Sequence, residues 1–486
     1  MHRAIRGRVA AAAAALTALV PAWAAAAPGV VDSDFGVAGQ VTMDNHVGAR
    51  MLVLPSDLVV VAGGTATDPS AVDVWQFRPN GTPNASFGTG GRIRLAPTAA
   101  YEDVDLARDP GTGQLYVRAF VDDATSTTRV WRLTAQGDLD TTWGSGGVAT
   151  FASTAATAMA VQPTTHRLVL AVGNRLRRLT PTGALDGGFG VGGSAVLAMT
   201  QARQVTALAD GRLLVPATSG GQLEVFRLTE AGRADTSWSD DGRVSYAPPV
   251  PADTTTYSVW PPRAVVRPGG QVLLVAGVNQ TRPGAFDVPM VVVQLKADGS
   301  LDATFTPSYR IGFEAQQPDL ALQVNGKLLI SGRLAGSLDT GVQRLRANGR
   351  VDGSFADAGV LSDADDQTYF GDVAVQRGGR VLVSGVAGTW PSLAAFVRGY
   401  AGDAVAQCQG RWPTQMGSAG ADRLVGTPGR DVMSGLGGAD TLIGRGGGDV
   451  LCGGGGPDVL KGGGGADVLS GGRATTSSWA GGARTL

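Results

Sequence analysis

Residues 417–470 read GSAGADRLV, GTPGRDVMS, GLGGADTLI, GRGGGDVLC, GGGGPDVLK and GGGGADVLS, six nonapeptides in unbroken register. An aspartate recurs at every ninth position: Asp422, Asp431, Asp440, Asp449, Asp458 and Asp467. A glycine stands two places before each. An apolar residue stands two places after: Leu424, Met433, Leu442, Leu451, Leu460 and Leu469. The apolar half of each unit suits a very short strand whose one apolar side chain points inward. The glycine half suits a turn, because glycine tolerates positive φ. Two nonapeptides then make one coil of a flattened parallel roll, so aspartates eighteen residues apart share an edge. Asp422, Asp440 and Asp458 line one edge, and Asp431, Asp449 and Asp467 the other. Neighbouring coils lie about 4.8 Å apart. Two carboxylates at that spacing repel by roughly 3–4 kcal/mol at an effective dielectric of about 20, and a divalent cation between them reverses the sign.

The pattern resembles the RTX, or haemolysin-type, calcium-binding nonapeptide repeat. That resemblance implies Ca2+ as the bound ion. Calcium takes about 6–8 oxygen ligands, more than two aspartates supply. Turn carbonyls near Gly435, Gly437, Gly444, Gly446, Gly453 and Gly455 are therefore implied as well. Pairing each aspartate with the one eighteen later gives up to four sites: 422 with 440, 440 with 458, 431 with 449, and 449 with 467. The first two copies depart from the pattern. Ser418 and Thr427 replace the second glycine, and Pro428 and Arg430 crowd the second turn. Leu436 and Arg445 also stand where glycine is usual. The repeat is thus fuller from Asp440 to Asp467 than back toward Asp422.

The chain has 486 residues with 73 glycines and a 43% hydrophobic share, which fits a turn-rich all-β protein better than a helical one. Its N-terminus reads as a signal peptide over 1–27. Arg3, Arg6 and Arg8 form a basic leader, Val9 to Val20 is an Ala/Leu-rich core, and Ala24 to Ala27 offers an A-x-A cleavage site. The apolar run is too short for a comfortable membrane span. No second apolar stretch follows, so no membrane span is expected after signal removal and the chain is expected to be secreted. Setting the three leader arginines aside from 40 basic residues leaves 37 against 41 acidic ones. No basic excess is available to neutralise phosphates, which argues against nucleic acid as a partner. Export makes the two cysteines informative. An even pair in an oxidising compartment favours a disulfide between Cys408 and Cys452, with two free thiols as the alternative.

From 28 to 403 a longer repeat runs: a glycine, Asp or Asn three residues on, and Phe or Trp six residues on. It appears as Gly29, Asp32, Phe35; Gly81, Asn84, Phe87; Gly137, Asp140, Trp143; Gly183, Asp186, Phe189; Gly232, Asp235, Trp238; Gly299, Asp302, Phe305; and Gly349, Asp352, Phe355. Hairpin patterns lie between these signatures, at 52–63, 106–119, 159–173, 205–217, 265–277, 320–332 and 373–385. Period-two alternation around Asn-Gly, Asp-Gly or Gly-Gly marks them. A third apolar strand precedes each signature glycine, and about four strands per unit is the content of one propeller blade. Seven hairpins match seven signatures. The region resembles the delta-60 repeat, a secreted bacterial family, which implies a β-propeller. The last hairpin lacks its signature, and the first signature lacks its hairpin. The N-terminal strand is therefore expected to complete the last of seven blades, with an open array or a six-bladed ring as the alternative. The repeated aspartate suits a turn bonded to its own backbone. The aromatic suits the space between blades. A linker is expected over 404–416, the roll over 417–472, and a polar, disordered tail over 473–486.

Recognisable catalytic equipment is absent from the sequence. His46 and His166 read as ordinary loop residues. No Ser-His-Asp grouping, H-E-x-x-H, phosphate loop or zinc-type cysteine spacing occurs. Asp363-Ala-Asp365-Asp366 and Tyr101-Glu102-Asp103 read as solvated loops. The fold expected is therefore all-β, a seven-bladed β-propeller followed by a short RTX parallel β-roll. The function expected is a secreted, non-enzymatic calcium-binding protein. Its propeller would serve extracellular binding or adhesion, with a cell-surface or matrix glycan or protein as partner. The rival readings are a propeller hydrolase or lyase acting on glycans, which requires carboxylates from different blades to converge near the central channel, and a surface-layer component.

Overall fold

Alternating apolar strands joined by tight glycine turns leave a chain no stable option but sheets packed face to face, and the computed structural model consists of strands alone among the described residues. It describes residues 27–472, 477–479 and 484–485, except 66–67, 69, 96–100, 122–126, 153–155, 249–251, 284, 288, 306–307, 335–339, 363–367 and 389–391. The leader before Ala27 and the acidic run Asp363-Ala-Asp365-Asp366 lie outside the described residues.

Seven antiparallel blades form a ring. The first is His46–Val53, Val59–Thr65, Val72–Phe77 and Arg92–Leu95, paired in sequence order. The seventh is Thr368–Val375, Val381–Ala387 and Ala394–Tyr400, and its outer strand is Gln40–Asp44 from the other end of the chain. Gln40 pairs with Arg398 and Asp44 with Ala394. The ring thus closes as expected, and neither edge strand of that blade is left unpaired at the closure. Between the fifth and sixth blades one strand, Ser308–Leu322, serves both. Its first half pairs with Pro289–Leu295 and its second with Leu328–Leu334, with register shifts between.

The signature accounts for the contact between blades. In six units its Asp or Asn bonds a residue eight places earlier on the third strand. Examples are Arg178 Nε to Asp186 Oδ2 at 2.7 Å, Arg227 Nε to Asp235 Oδ2 at 2.7 Å, and Gln294 Nε2 to Asp302 Oδ2 at 2.7 Å. The other oxygen caps its own turn, as Asp302 Oδ1 does with the Thr304 N–H at 3.0 Å. The Thr304 hydroxyl, first among the causes, holds the Asp302 carboxyl below the usual carboxylate range. The aromatic is buried in every unit. Where the residue eight places before the Asp is arginine, the ring lies under its guanidinium, 5.1 Å from Arg227 to Trp238 and 4.8 Å from Arg178 to Phe189. The next signature glycine closes over its edge. A Cβ on Gly232 would stand 2.6 Å from the Phe189 ring, and one on Gly299 2.9 Å from Trp238. Only glycine leaves room for the preceding blade's aromatic there.

The roll follows. One parallel sheet holds Gln415–Met416, Val432–Ser434, Val450–Cys452, Val468–Ser470 and Arg484–Thr485, and the other Arg423–Val425, Thr441–Gly446, Val459–Gly464 and Ser477–Trp479. Partners lie eighteen residues apart, as Met433 with Leu451 and Leu442 with Leu460. Met433, Leu442, Leu451, Leu460 and Leu469 form the buried core between the sheets. Two boundaries differ from expectation. The linker's last residues, Gln415 and Met416, are the first strand of the roll, because Gln415 is eighteen residues before Met433 and fits its register. The tail is not disordered throughout: Ser477–Trp479 pairs with Val459–Lys461, since an open parallel edge accepts any extended segment in reach. Cys408 and Cys452 form the expected disulfide, with Cα atoms 5.8 Å apart across 44 residues of chain. A loop of that length corresponds to about 3–4 kcal/mol in the chain-entropy account. The roll abuts the sixth blade through the Met416 N–H to Val324 carbonyl bond, 2.8 Å.

Trp238→Ala removes a fully buried ring between blades four and five. It should cost about 3–5 kcal/mol, seen as a lower midpoint in guanidinium unfolding followed by far-UV circular dichroism.

Candidate functional site

Stacked coils place each aspartate under its predecessor, and the geometry there is specific. The Asp422 N–H donates to Asp440 Oδ1 at 2.8 Å, Asp431 N–H to Asp449 Oδ1 at 2.8 Å, Asp440 N–H to Asp458 Oδ1 at 3.0 Å, and Asp449 N–H to Asp467 Oδ1 at 3.0 Å. The aspartates eighteen apart are thus brought together as expected, though through one carboxylate and one backbone amide rather than two facing carboxylates. The second oxygen decides the chemistry. Oδ2 of Asp440, Asp449, Asp458 and Asp467 is buried and has no hydrogen-bond partner. Each points into the glycine turn five residues before it: a Cβ on Gly435, Gly444, Gly453 or Gly462 would stand 2.1–2.3 Å from that oxygen. The carbonyls of Gly453 and Gly462 lie beside the Gly435 and Gly444 positions as well, 2.5 Å from the same Cβ points.

The first two turns differ because their sequence differs. Asp422 Oδ2 accepts from the Ser418 N–H at 2.6 Å and its hydroxyl at 2.8 Å. Asp431 Oδ2 accepts from the Thr427 N–H at 2.6 Å and its hydroxyl at 3.0 Å. The two residues that replace glycine therefore occupy the oxygen that is left orphaned in later copies. Burial, then the neighbouring Asp458 and Asp422, pushes the Asp440 carboxyl above its usual range. Burial, then Asp431 and Asp467, does the same to Asp449. An unpaired buried carboxylate is costly, and four in one small roll call for positive charge. These residues fit a hard divalent cation. Asp440, Asp449, Asp458 and Asp467 would each supply one oxygen, and calcium bound there would supply the charge that offsets their burial. Among the described residues no three acidic, histidine or cysteine side chains converge on one point, so backbone carbonyls must make up the remaining ligands.

A family model described as "RTX calcium-binding nonapeptide repeat (4 copies)" matches residues 416–451 and 446–474. This unit carries RTX calcium-binding repeats. A second model, "Domain of unknown function (DUF5122) beta-propeller", matches 323–355, upstream of the RTX unit and within the sixth blade. No curated protein matches the chain. Among solved structures, a protein of unknown function from Dyadobacter fermentans is 12% identical, with 74% of this chain and 97% of that one covered at a TM-score of 0.40. The β-propeller domain of the Trilobed protease from Pyrococcus furiosus is 8% identical, with 73% and 95% covered at 0.39. A protein of unknown function from Bacteroides caccae is 12% identical, with 60% and 90% covered at 0.34. With TM-scores this low, the ring upstream of the RTX unit rests on its own strand pairings.

Upstream of the RTX unit, the two histidines are not loop residues of one kind. His46 opens an inner strand, is buried, and has Nε2 2.9 Å from Asp73 Oδ2. His166 lies in a turn with Nδ1 2.8 Å from Asp109 Oδ1. The sequence reading passed over a group at the channel. Asp319 and Asp372 begin the apolar runs of adjacent inner strands, and each takes a backbone N–H from the following blade: Val373 to Asp319 Oδ2 at 2.9 Å, Met51 to Asp372 Oδ2 at 2.7 Å. The signal was a polar residue directly before the alternating stretch, as in Asp319-Leu-Ala-Leu and Asp372-Val-Ala-Val. Burial, then the Asp372 charge, raises the Asp319 carboxyl to about 6, against the opposing pull of Arg263, the Val373 N–H and Arg50.

Two outcomes follow. Gly456 adopts φ +116, and a Cβ there would stand 1.9 Å from the Gly438 carbonyl oxygen of the coil below. Gly456→Ala should therefore cost the roll about 3 kcal/mol from backbone strain and overlap combined, read as a lower roll transition in calorimetry. Asp319 holds its proton more tightly folded than unfolded, so its contribution to stability is greatest below about pH 4 and is lost as pH rises through about 6. Asp319→Asn should remove that component, leaving the melting temperature less dependent on pH between 4 and 6 than in the unsubstituted chain.

Proposed function

We propose that this chain is an exported, non-enzymatic calcium-binding protein whose propeller is a scaffold for extracellular binding and whose C-terminal roll is ordered by Ca2+. The observation that carries the calcium assignment is the set of four buried, partnerless Oδ2 atoms of Asp440, Asp449, Asp458 and Asp467 in glycine-lined turns. Carbonyls near Gly435, Gly444 and Gly453 complete the ligand sets, with Gly437, Gly446 and Gly455 on the outer side of the same turns. Asp422 and Asp431 act as the capped, lower-affinity end, because Ser418 and Thr427 already satisfy them. Export is supported by the basic leader with its apolar core and by the Cys408–Cys452 disulfide, which belongs to an oxidising compartment. Calcium outside cells is abundant, so weak sites with Kd of about 10⁻⁴–10⁻³ M suit a roll that orders after export. No helix of the described residues is long and apolar enough to cross a membrane.

A second reading, a secreted propeller hydrolase or lyase acting on glycans, draws support from one observation. Asp319 and Asp372 come from adjacent blades and lie close enough for one charge to disfavour the other. A carboxyl whose proton is held more tightly beside a second carboxyl is a feature that acid–base work uses. Hydrolysis of a glycan by the chain, lost in Asp372→Asn, would favour this reading over the first.

The calcium assignment is tested on the chain from residue 28 to 486 by limited trypsin digestion with mass spectrometry. Arg430, Arg445 and Lys461 are exposed on the roll. In millimolar calcium they should resist cleavage. In chelator they should be cut within minutes, and Asp449→Asn together with Asp458→Asn should raise the calcium needed for protection by about tenfold or more. Equal cleavage with and without calcium would remove the assignment.

A further inference from the structure

The inner strands bring one equivalent position from every blade to the throat of the ring. Strand registers place there Arg50, Asp105, Ala158, Arg263 and Asp319, and the same offset from the hairpin turn adds Gln204 and Asp372. Six of these seven are charged or carry an amide. Part of that polarity is architectural. Asp319, Asp372 and Gln204 each hold the next blade's backbone, the last through the Ala264 N–H at 2.6 Å. Arg50 bridges Asp372 at 3.0 Å and the Val104 carbonyl at 3.3 Å.

The rest is not fully satisfied among the described residues. Arg118, fully buried opposite Asp105, gives Nη2 to Asp103 at 2.6 Å and leaves Nε and Nη1 without a partner. Arg203 Nε is buried and also partnerless, Arg263 gives Nη1 to the Arg203 carbonyl at 2.9 Å, and neither arginine is ion-paired among the described residues. Among the described residues Asp105 takes only the N–H of its own neighbour Leu106, at 2.9 Å. Asp319 Oδ1 accepts nothing among the described residues. These groups feel one another across the throat: Arg50, Arg118 and Arg263 act on Asp105, and Asp103 acts on Arg203. Asp105, Arg203, Arg263 and Asp319 are half-buried and meet water, whereas Arg118 is sealed.

The chemistry of a ligand follows from what is unpaired. Arg50, Arg118, Arg203 and Arg263 balance Asp103, Asp105, Asp319 and Asp372, so the throat has no net charge to attract a simple ion. Among the described residues no three carboxylates converge to hold a metal. What remains is donors and acceptors side by side, fixed on rigid strands. A hydroxyl is the neutral group that accepts from a guanidinium and donates to a carboxylate at once, and a vicinal diol spans a neighbouring Arg and Asp. We propose that the throat of the propeller binds carbohydrate, reading sugar hydroxyls through Arg203, Arg263, Asp105 and Asp319. The inference rests on the reading of the propeller as an extracellular binding scaffold and names the class of its ligand.

Isothermal titration calorimetry of the 28–486 chain in millimolar calcium tests it. One arm uses neutral cello-, xylo- and malto-oligosaccharides, the other oligogalacturonate and alginate oligomers. Binding in at least one arm is expected. Neutral binding places hydroxyls alone in the site, and uronate binding alone adds a carboxylate on Arg203 and Arg263. Arg203→Met and, separately, the isosteric Asp105→Asn should each weaken it by about tenfold or more, with melting temperature and calcium-dependent trypsin protection unchanged. No heat in either arm from a chain with intact calcium protection overturns the proposal, as does binding that survives both substitutions. Sugar binding by a chain that calcium fails to protect would instead remove the calcium assignment and leave this one standing. If Arg203→Met does not fold, Asp105→Asn decides alone.

Discussion

An aspartate oxygen holding a backbone N–H recurs at every level of this molecule, and the fate of the second oxygen separates its parts. In the blade signature, Asp302 Oδ1 caps its own turn and Oδ2 takes the Gln294 amide. In the throat, Asp372 Oδ2 ties the first blade to the seventh while Oδ1 meets Arg50. In the roll, Asp449 Oδ1 holds the coil before it and Oδ2 meets nothing. A carboxylate with both oxygens engaged is a structural part. A buried idle oxygen repeated in four stacked turns is an unfinished site, because the lost hydration has no replacement among the described residues.

The two units are held together differently for that reason. The propeller closes on itself, and its buried carboxylates face guanidinium or amide groups: Asp186 with Arg178, Asp235 with Arg227, Asp352 with Arg344. Each aromatic fills the gap to the next blade, so every blade is braced on both sides. The roll has a core only one side chain deep, Met433 to Leu469, and its coils touch only their neighbours. The disulfide fastens its beginning to its middle, which shortens the stretch that a cation must organise.

Much of this was legible in the residues. The nine-residue spacing specified parallel coils, the inward leucines and the aspartate edges, and the substitutions Ser418 and Thr427 marked the turns whose aspartates prove to be capped. Leu436 and Arg445 were read as misplaced, and they do adopt positive φ, +74 and +79, where Gly454 and Gly463 sit in the next coils. The throat was not legible, because Asp319 and Asp372 look like any polar residue before a strand. Only their neighbours across the ring give them meaning. The tail's strand at 477–479 was missed too, since its sequence lacks the repeat and an open parallel edge recruited it.

Local period and spacing by themselves determined which residues turn, which point inward, how many repeat units there are, and that Cys408 could meet Cys452. These depend on neighbours a few residues away, or on a repeat that states its own register. Tertiary structure alone decided what stands beside what across hundreds of residues: Gln40 against Arg398, Met51 on Asp372, Arg118 with two idle donors at the channel. Ring closure sets those encounters. It is a property of seven twisted sheets packed together, and no single stretch of the chain encodes it.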